Sequence, residues 1–112
     1  MYKTKLNHSQ QLFTLAQWRQ LLANSQDRSE ADTVQPVVKL FYGGATWLLT
    51  ECDEDGLAYG LCDVGHGYPE IGYVSMTEVC QMQKIERDLY FRPNKTLAEY
   101  AEVACDQKMI IA

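Results

Sequence analysis

The residues best suited to chemistry lie in one glycine-rich stretch near the middle of the chain. Cys62, Asp63, His66 and Glu70 occur there close together. Zinc sites use three or four ligands, usually in recognisable pairs, and this stretch offers one cysteine and one histidine. A thiol with a nearby imidazole also suggests a nucleophile and its base. However, Cys62 lies inside an apolar run, where burial raises the pKa of a thiol and makes it inert. We predict no metal, cofactor or catalytic residue here.

Arg87 gives the same stretch another interpretation. Alternation along residues 85–92 places Arg87 on the same face as Ile85, Leu89 and Phe91, among core side chains. A buried guanidinium without a partner is very costly, so it must find a carboxylate or the strand must break at a bulge. The expected carboxylates are Asp63 and Glu70. We call this predicted group the polar corner.

The polar corner has two readings, which the sequence leaves open. In the first, a structural ion pair locks the loop GHGYPEIG to the sheet. In the second, that loop is the rim of a recognition surface, because binding residues concentrate on loops held by a rigid sheet. The candidate binding residues are Asp63, His66, Tyr68, Glu70, Arg87 and Arg92.

A calcium-like pattern occurs at Glu51-x-Asp53-x-Asp55-Gly56. An EF-hand loop needs a bidentate glutamate at its twelfth position, and this chain has Cys62 there. The flanking segments also resemble strands rather than helices. The pattern therefore predicts a solvated hairpin turn.

The elements that position these residues are mostly strands. Apolar runs rich in Val, Thr, Trp and Tyr favour a pleated sheet, and Gly or Asp-Gly breaks between them favour tight turns. The predicted strands are Val37–Tyr42, Ala45–Cys52, Leu57–Val64, Tyr73–Ser75 and residues 85–92, with turns at Gly43-Gly44 and Asp53–Gly56. Pro93 ends the last strand because it lacks the N–H that a ladder needs.

Three capping boxes predict helices. The boxes are Thr14–Gln17, Ser75–Glu78 and Thr96–Glu99, and the first two helices are expected to end near Asn24 and Gln83. Phe13 and Trp18 form a hydrophobic staple at the first. The inward stripes are Leu15, Trp18, Leu21 and Leu22; Met76, Val79 and Cys80; and Leu97, Tyr100, Ala101, Ala104 and Cys105.

These elements predict one α+β domain spanning residues 1–112. An antiparallel meander of four to five strands carries the N-terminal, middle and C-terminal helices, which we expect against one of its faces. Residues 1–13 form a lead-in, and the polar residues 25–35 form a flexible loop. The apolar tail 108–112 is expected to pack on the sheet or to pair with an edge.

The composition excludes several classes of protein. With 46% hydrophobic residues the chain is typical of a globular protein. A net charge of −5 disfavours direct nucleic-acid binding, which needs a concentrated surplus of Lys and Arg. No run approaches the roughly 18 apolar residues of a membrane span, and there is no signal-peptide core, so we expect a cytoplasmic protein. Four cysteines without a CxxC pair predict free thiols packed as small apolar side chains.

The blocks VKLF, ATWLLTE, PEIGYVS and IERDLYFRP carry a family resemblance. From about Pro36 to Ala101 the chain resembles a bacterial family known as domain of unknown function 2958, and the N-terminal helix fits the family's usual opening. The resemblance implies no activity, cofactor or site residue. Members tend to be encoded on mobile elements beside conjugation and anti-restriction genes, which implies an accessory role in element maintenance or in evasion of host defence.

The hypothesis that best fits these observations is a small non-enzymatic protein that binds a host or element-encoded protein. It would use an exposed sheet edge or the GHGYPEIG rim, as a monomer or a homodimer. One alternative is a small enzyme that uses His66 with Asp63, Glu70 and Arg87. A second alternative is an acidic DNA mimic, which requires a continuous ridge of Glu51, Asp53, Glu54, Asp55, Glu70, Glu86 and Asp88.

Overall fold

The computed structural model describes residues 12–81 and 84–112. Within these ranges the chain forms three helices and one five-stranded antiparallel sheet, which confirms the predicted α+β class. The elements, in chain order, are α1 (Leu15–Gln26), β1 (Val38–Tyr42), β2 (Ala45–Cys52), β3 (Leu57–Asp63), β4 (Glu70–Ser75), α2 (Met76–Val79), β5 (Glu86–Arg87) and α3 (Leu97–Gln107). None of these helices is both long and apolar enough to cross a membrane.

The predicted meander is confirmed, and the strand order across the sheet is β4-β3-β2-β1-β5. The two predicted turns join β1 to β2 and β2 to β3. Gly43 and Gly56 adopt φ values of +55° and +89°, which favour glycine because a Cβ would be crowded there. The Asp53 carboxylate accepts the backbone N–H groups of Asp55 and Leu57, both at 2.9 Å, so the calcium-like segment is a hairpin turn.

The caps of the helices follow the sequence prediction closely. Thr14 and Thr96 form complete capping boxes, and the Ser75 hydroxyl accepts the Glu78 N–H at 3.4 Å. The first helix continues two residues past Asn24. The second ends at Val79, and its predicted end near Gln83 lies outside the described residues, as does the lead-in before Leu12.

Two positions of the predicted inward stripes are wrong, because Leu15 and Cys105 are exposed. The hydrophobic staple is confirmed: the rings of Phe13 and Trp18 stack with centroids 6.4 Å apart.

The helices cover both faces of the sheet, so the prediction of one covered face is wrong. On the first, face A, α1 and α2 pack against side chains that include Trp47, Leu49 and Cys52. On face B, α3 and the tail pack against Leu48 and Leu61. Residues Trp47–Cys52 of β2 are therefore all buried, since alternate side chains enter different cores.

The fifth strand is much shorter than predicted. Only Glu86 and Arg87 pair with β1, and the Asp88 N–H then donates to the Lys39 carbonyl at 2.9 Å. The Lys39 ammonium lies 3.3 Å from the Asp88 carboxylate. Beyond this point alternation fails, because Leu89 is exposed while Phe91 packs into the face B core.

The tail packs on the sheet, which is one of its two predicted positions. Ile110 is buried on face B, and the Lys39 ammonium donates to the Ala112 carbonyl at 2.8 Å. The predicted loop 25–35 starts two residues too early, since residues 25 and 26 belong to α1, and residues 27–37 have no helix or strand. The loop nevertheless contacts α3, because the Leu97 and Ala98 N–H groups both donate to its carbonyls at 2.8 Å. Its flexibility stays a prediction.

Candidate functional site

Asp63 is the central residue of the predicted polar corner, and it is buried with 5% of its surface exposed. It ends β3, with its side chain on face B. Its Oδ1 accepts the Gly65 N–H at 2.9 Å and its Oδ2 accepts the Ile110 N–H at 3.1 Å. Each carboxylate oxygen therefore has a backbone donor, as buried polar groups require. Asp63 joins the β3–β4 loop to the C-terminal tail.

The β3–β4 loop, residues 64–69, forms a projecting surface that we call the rim. Gly65 and Gly67 adopt φ values of +87° and +80°, which few other residues tolerate. A Cβ at Gly65 would lie 3.3 Å from the Gly44 carbonyl, so the rim lies against the β1–β2 turn. Its side chains project outward, and Tyr68 is 80% exposed.

The candidate binding residues divide into two separate groups. Asp63, His66, Tyr68 and Glu70 lie in or beside the rim, and all but Asp63 are exposed. The structure brings these four into one region of the fold, as the sequence predicted. Whether they bind anything stays a prediction.

Arg87 lies far from that group. Across the sheet, Arg87 pairs with Leu40, Leu40 with Trp47, Trp47 with Cys62, and Cys62 with Glu70. Four strand spacings separate Arg87 from Glu70, a distance of about 19 Å. Arg92 is exposed in the segment after β5. The four residues of the enzyme alternative therefore do not meet in one cleft.

The expected ion pair between Arg87 and the corner is wrong: Glu70 shares the face of Arg87 but lies four strands away, and Asp63 lies on the opposite face. Paired residues of an antiparallel ladder share a face, so Arg87 lies on face A with Leu40, whereas Asp63 points into face B. The strand also ends at Arg87, which leaves its side chain half-buried at an edge rather than inside a core. The guanidinium reaches water there and needs no buried carboxylate.

A different polar cluster occurs on face B, and the sequence reasoning missed it. The Arg28 Nε donates to both carboxylate oxygens of Glu51, at 2.8 and 3.0 Å. The Arg28 guanidinium lies 4.5 Å from the ring centroid of Tyr59 and 5.4 Å from that of Tyr73. The Tyr59 hydroxyl donates to Asp32 at 2.7 Å. We call these five residues the tyrosine clamp.

The tyrosine clamp attaches the loop after α1 to the sheet. Glu51 is buried, and the partly exposed Arg28 compensates its charge. The hydrogen bond to Glu51 raises the pKa of Arg28, which therefore stays protonated. Burial, followed by the hydrogen bond to Asp32, raises the pKa of Tyr59. The clamp is thus a charge-paired structural contact with one open side, where Tyr73 is 55% exposed.

A β-bulge explains why the sequence did not reveal this cluster. Strict alternation places Glu51 on face A with Trp47 and Leu49. The register of β2 against β3 shifts between Leu49 and Glu51, which turns Glu51 to face B opposite Tyr59. Arg28 lies in a polar loop without periodicity, so no pattern indicated its partner.

The cysteines fit the prediction of unreactive thiols at two positions. Burial, followed by the charge of Glu70, raises the pKa of Cys62 to about 11. Burial raises the pKa of Cys52 to about 12. Cys105 differs, since it is exposed. In the part of the chain that the structure describes, no three His, Cys, Asp or Glu side chains are placed to hold a metal ion.

The acidic ridge of the DNA-mimic alternative does not form. Glu51 is buried against Arg28, and Asp88 is paired with Lys39. Glu70 and Glu86 belong to strands at opposite edges of the sheet. The turn 53–55 and Glu70 lie at opposite ends of β4, and Glu86 lies at the other edge of the sheet, so no continuous ridge joins the exposed acids.

Together, the fold and the site define a small α+β domain with an open antiparallel sheet and no assembled catalytic group among the candidate residues. The chain belongs to the family described as Protein of unknown function (DUF2958), whose model matches residues 12–111. This match confirms the resemblance seen in the sequence. No curated protein and no solved structure matches the chain significantly.

Proposed function

We propose that this protein is a small non-enzymatic binding module that recognises another protein through the rim. The observation that supports this most is the placement of Tyr68, which is 80% exposed on a loop fixed by the buried Asp63. Tyrosine is enriched at protein interfaces, because it provides a large rigid contact surface and a hydroxyl for hydrogen bonding.

The surroundings of Tyr68 also favour an interface. Val64 and Met109 are more than half exposed, and both adjoin residues that Asp63 holds in place. His66 adds an exposed polar group to the rim. Because the hydrogen bond from the Gly65 N–H to Asp63 already holds the start of the loop, binding through it loses less conformational entropy than binding through a loop without such a contact.

The partner that we propose is a host or element-encoded protein. This extends the role in element maintenance or defence evasion that the family's gene neighbourhood suggested. A non-enzymatic inhibitor or adaptor needs a contact surface rather than a reactive group. The rim provides such a surface without any assembled nucleophile and base.

The experiment is site-specific photo-crosslinking in cells that encode the protein. Tyr68 is replaced by p-benzoylphenylalanine, and a second protein carries the same replacement at Tyr90. Tyr90 is 86% exposed in the segment after β5, so it is a control with similar exposure away from the rim. We expect one adduct of defined mass from position 68 and none of the same mass from position 90.

A substitution series then measures the contribution of the rim. We expect Tyr68→Ala, in a protein without the crosslinker, to reduce co-purification of the partner identified by crosslinking at least about tenfold, the usual effect of removing an interface tyrosine. Tyr90→Ala is expected to leave recovery unchanged. Equal adducts from both positions, or none from position 68, would rule out the rim as the binding surface.

A further inference from the structure

The strand β4 has an outer edge that no other described residue pairs with. Six consecutive residue pairs join its inner edge to β3 without a register shift, so the strand is regular over its whole length. Its sequence, EIGYVS, contains no Lys, Arg, Pro or bulge. Natural proteins usually protect exposed edges with such features, and an unprotected edge is a template for another strand.

The backbone of β4 provides the first part of a binding site. In an antiparallel ladder alternate residues direct both their N–H and C=O groups away from the neighbouring strand. About three of the six residues of β4 therefore present both groups outward. An extended segment of a partner can bind these groups by strand addition, which is a common mode of peptide recognition.

The side chains beside this edge provide the second part. On face B, Tyr73 and Leu57 are 55% and 46% exposed, although they lie next to a packed core. The Tyr59 and Tyr73 rings meet edge to face with centroids 5.1 Å apart, so Tyr73 is held in position. A side chain of an added strand would lie directly opposite Tyr73, within reach of its ring.

The charge around β4 indicates which side chains would fit. Acidic residues lie at both ends of the strand. Glu70 is its first residue, and Glu78 follows its last residue in α2. The acidic turn 53–55 also lies at this second end, where the Met76 N–H donates to the Gly56 carbonyl at 2.9 Å. Arg28 is near Tyr73, but Glu51 balances its charge. A basic segment therefore complements this edge, and an exposed tyrosine ring attracts a cation.

A second copy of the chain fits this edge less well. Two β4 strands that pair antiparallel would place Glu70 of one copy near Glu78 and the acidic turn of the other. Each chain also carries a net charge of −5, so association brings like charges together. These repulsions favour a basic partner over self-association.

We propose that the outer edge of β4 binds an extended, basic segment of a partner protein by strand addition, with a Lys or Arg side chain over Tyr73. This inference rests on the proposed function and specifies the chemistry of the partner. It uses the β4 edge rather than Tyr68, so the tests of the two proposals give distinguishable results. A missing crosslink from position 68 would not exclude peptide binding at β4. Absence of peptide binding at β4 would not exclude a crosslink from position 68.

The test uses three synthetic octapeptides added to the full-length protein labelled with ¹⁵N. The first alternates Lys and Val, the second has Pro in place of each Val, and the third has Glu in place of each Lys. Proline lacks the N–H that strand pairing needs, so the second peptide keeps the charge but not the pairing. We expect the Lys/Val peptide to bind and to shift the amide signals of residues 70–75.

Two variants locate the contact. Tyr73→Lys replaces the ring by a like charge at an exposed position, and we expect it to weaken binding of the Lys/Val peptide at least about tenfold. Glu70→Lys is a second exposed change with the same expected direction. Tyr90→Lys makes the same substitution at the other edge of the sheet and is expected to change the dissociation constant less than about twofold. Tyr68→Ala should leave peptide binding unchanged.

Several results would overturn the inference. If the Lys/Pro peptide binds as tightly as the Lys/Val peptide, strand pairing is not what is recognised. If the Glu/Val peptide binds as tightly, the positive charge is not what is recognised. Amide shifts confined to the turn 53–55 would place the peptide elsewhere, and an absence of binding would exclude the site. Sedimentation as a dimer, with the β4 amides protected from exchange before any peptide is added, would assign the edge to a second copy.

Discussion

The two edges of the sheet differ in length and in charge. At one edge, the two residues of β5 pair with β1, and Asp88 extends this cover through its N–H and its ion pair with Lys39. At the other edge, six residues of β4 have no outer partner among the described residues. Neither outer strand has a further partner among the described residues, but β5 is short and charged, whereas β4 is longer, regular and mainly apolar.

This difference teaches how a small domain can keep a binding edge without exposing its core. Both faces of the sheet are covered, by α1 and α2 on face A and by α3 with the tail on face B. The buried apolar surface is therefore separate from the open edge.

The largest effect is expected from adding a methyl group inside the sheet. Gly60→Ala would place a Cβ 2.0 Å from the Leu48 carbonyl oxygen, a clash with backbone that cannot move aside cheaply. We expect the free energy of unfolding to fall by about 3 kcal/mol or more, measured by urea denaturation.

The matched control for this substitution is Gly72→Ala, at the residue that pairs with Gly60. A Cβ at Gly72 meets nothing within 4 Å, so we expect a change of less than about 1 kcal/mol. A large loss at Gly72, or a small one at Gly60, would contradict the difference between the interior of the sheet and its open edge.

A smaller loss is expected from Asp63→Ala, which removes the acceptors of the Gly65 and Ile110 N–H groups. The Ile110 N–H is buried and would be left without a partner, whereas the Gly65 N–H lies at an exposed residue and can bind water, so the free energy of unfolding should fall by about 1–3 kcal/mol. Asp63→Asn keeps one carbonyl oxygen and should lose roughly half as much. Urea denaturation measures the free energy of unfolding of both variants. Equal losses in Asp63→Ala and Asp63→Asn would show that the two hydrogen bonds do not contribute separately to stability.

The smallest effect concerns the rates at which two thiols react. Cys62 pairs with Glu70 of β4 and has a pKa of about 11, whereas the pKa of the buried Cys52 is about 12. Cys52 is fully buried, whereas Cys62 is only partly buried. We therefore expect iodoacetamide to label Cys62 faster than Cys52 at pH 8, as mass spectrometry of timed samples would show.

The same two thiols predict how stability depends on pH. Folding raises their pKa above the ordinary value of 9.0, so above about pH 9 the unfolded chain releases protons that the folded chain retains. The free energy of unfolding should therefore fall as pH rises through that range. In the labelling experiment, equal rates at Cys62 and Cys52 would contradict the expected difference. They would show that β4 protects Cys62 from the reagent as well as the face A core protects Cys52.

The sequence predicted the local features of the fold better than the long-range ones. Turns and helix starts depend on a few adjacent residues, so Gly43-Gly44, Thr14 and Thr96 were read correctly. The side of the sheet that each helix covers depends on the path of a connection, and residues 88–96 carry the chain to face B without any periodic signal. That choice could not be read from local pattern.

The candidate site was predictable only where its residues are close in sequence. The rim and Asp63 belong to one stretch, and the sequence correctly grouped them. Arg87 was placed by assuming a full-length fifth strand, and the strand ends after two residues. The tyrosine clamp depends on a bulge between Leu49 and Glu51, which reverses the face of every later side chain in β2.

The two cores on opposite faces of the sheet also affect how this family can diversify. Every residue from Trp47 to Cys52 is enclosed, so few substitutions in β2 would be tolerated. The exposed side chains of the rim and of β4 lie outside both buried clusters, and they can change without repacking the interior. Relatives could therefore acquire different partners through substitutions at these few positions while the scaffold stays the same.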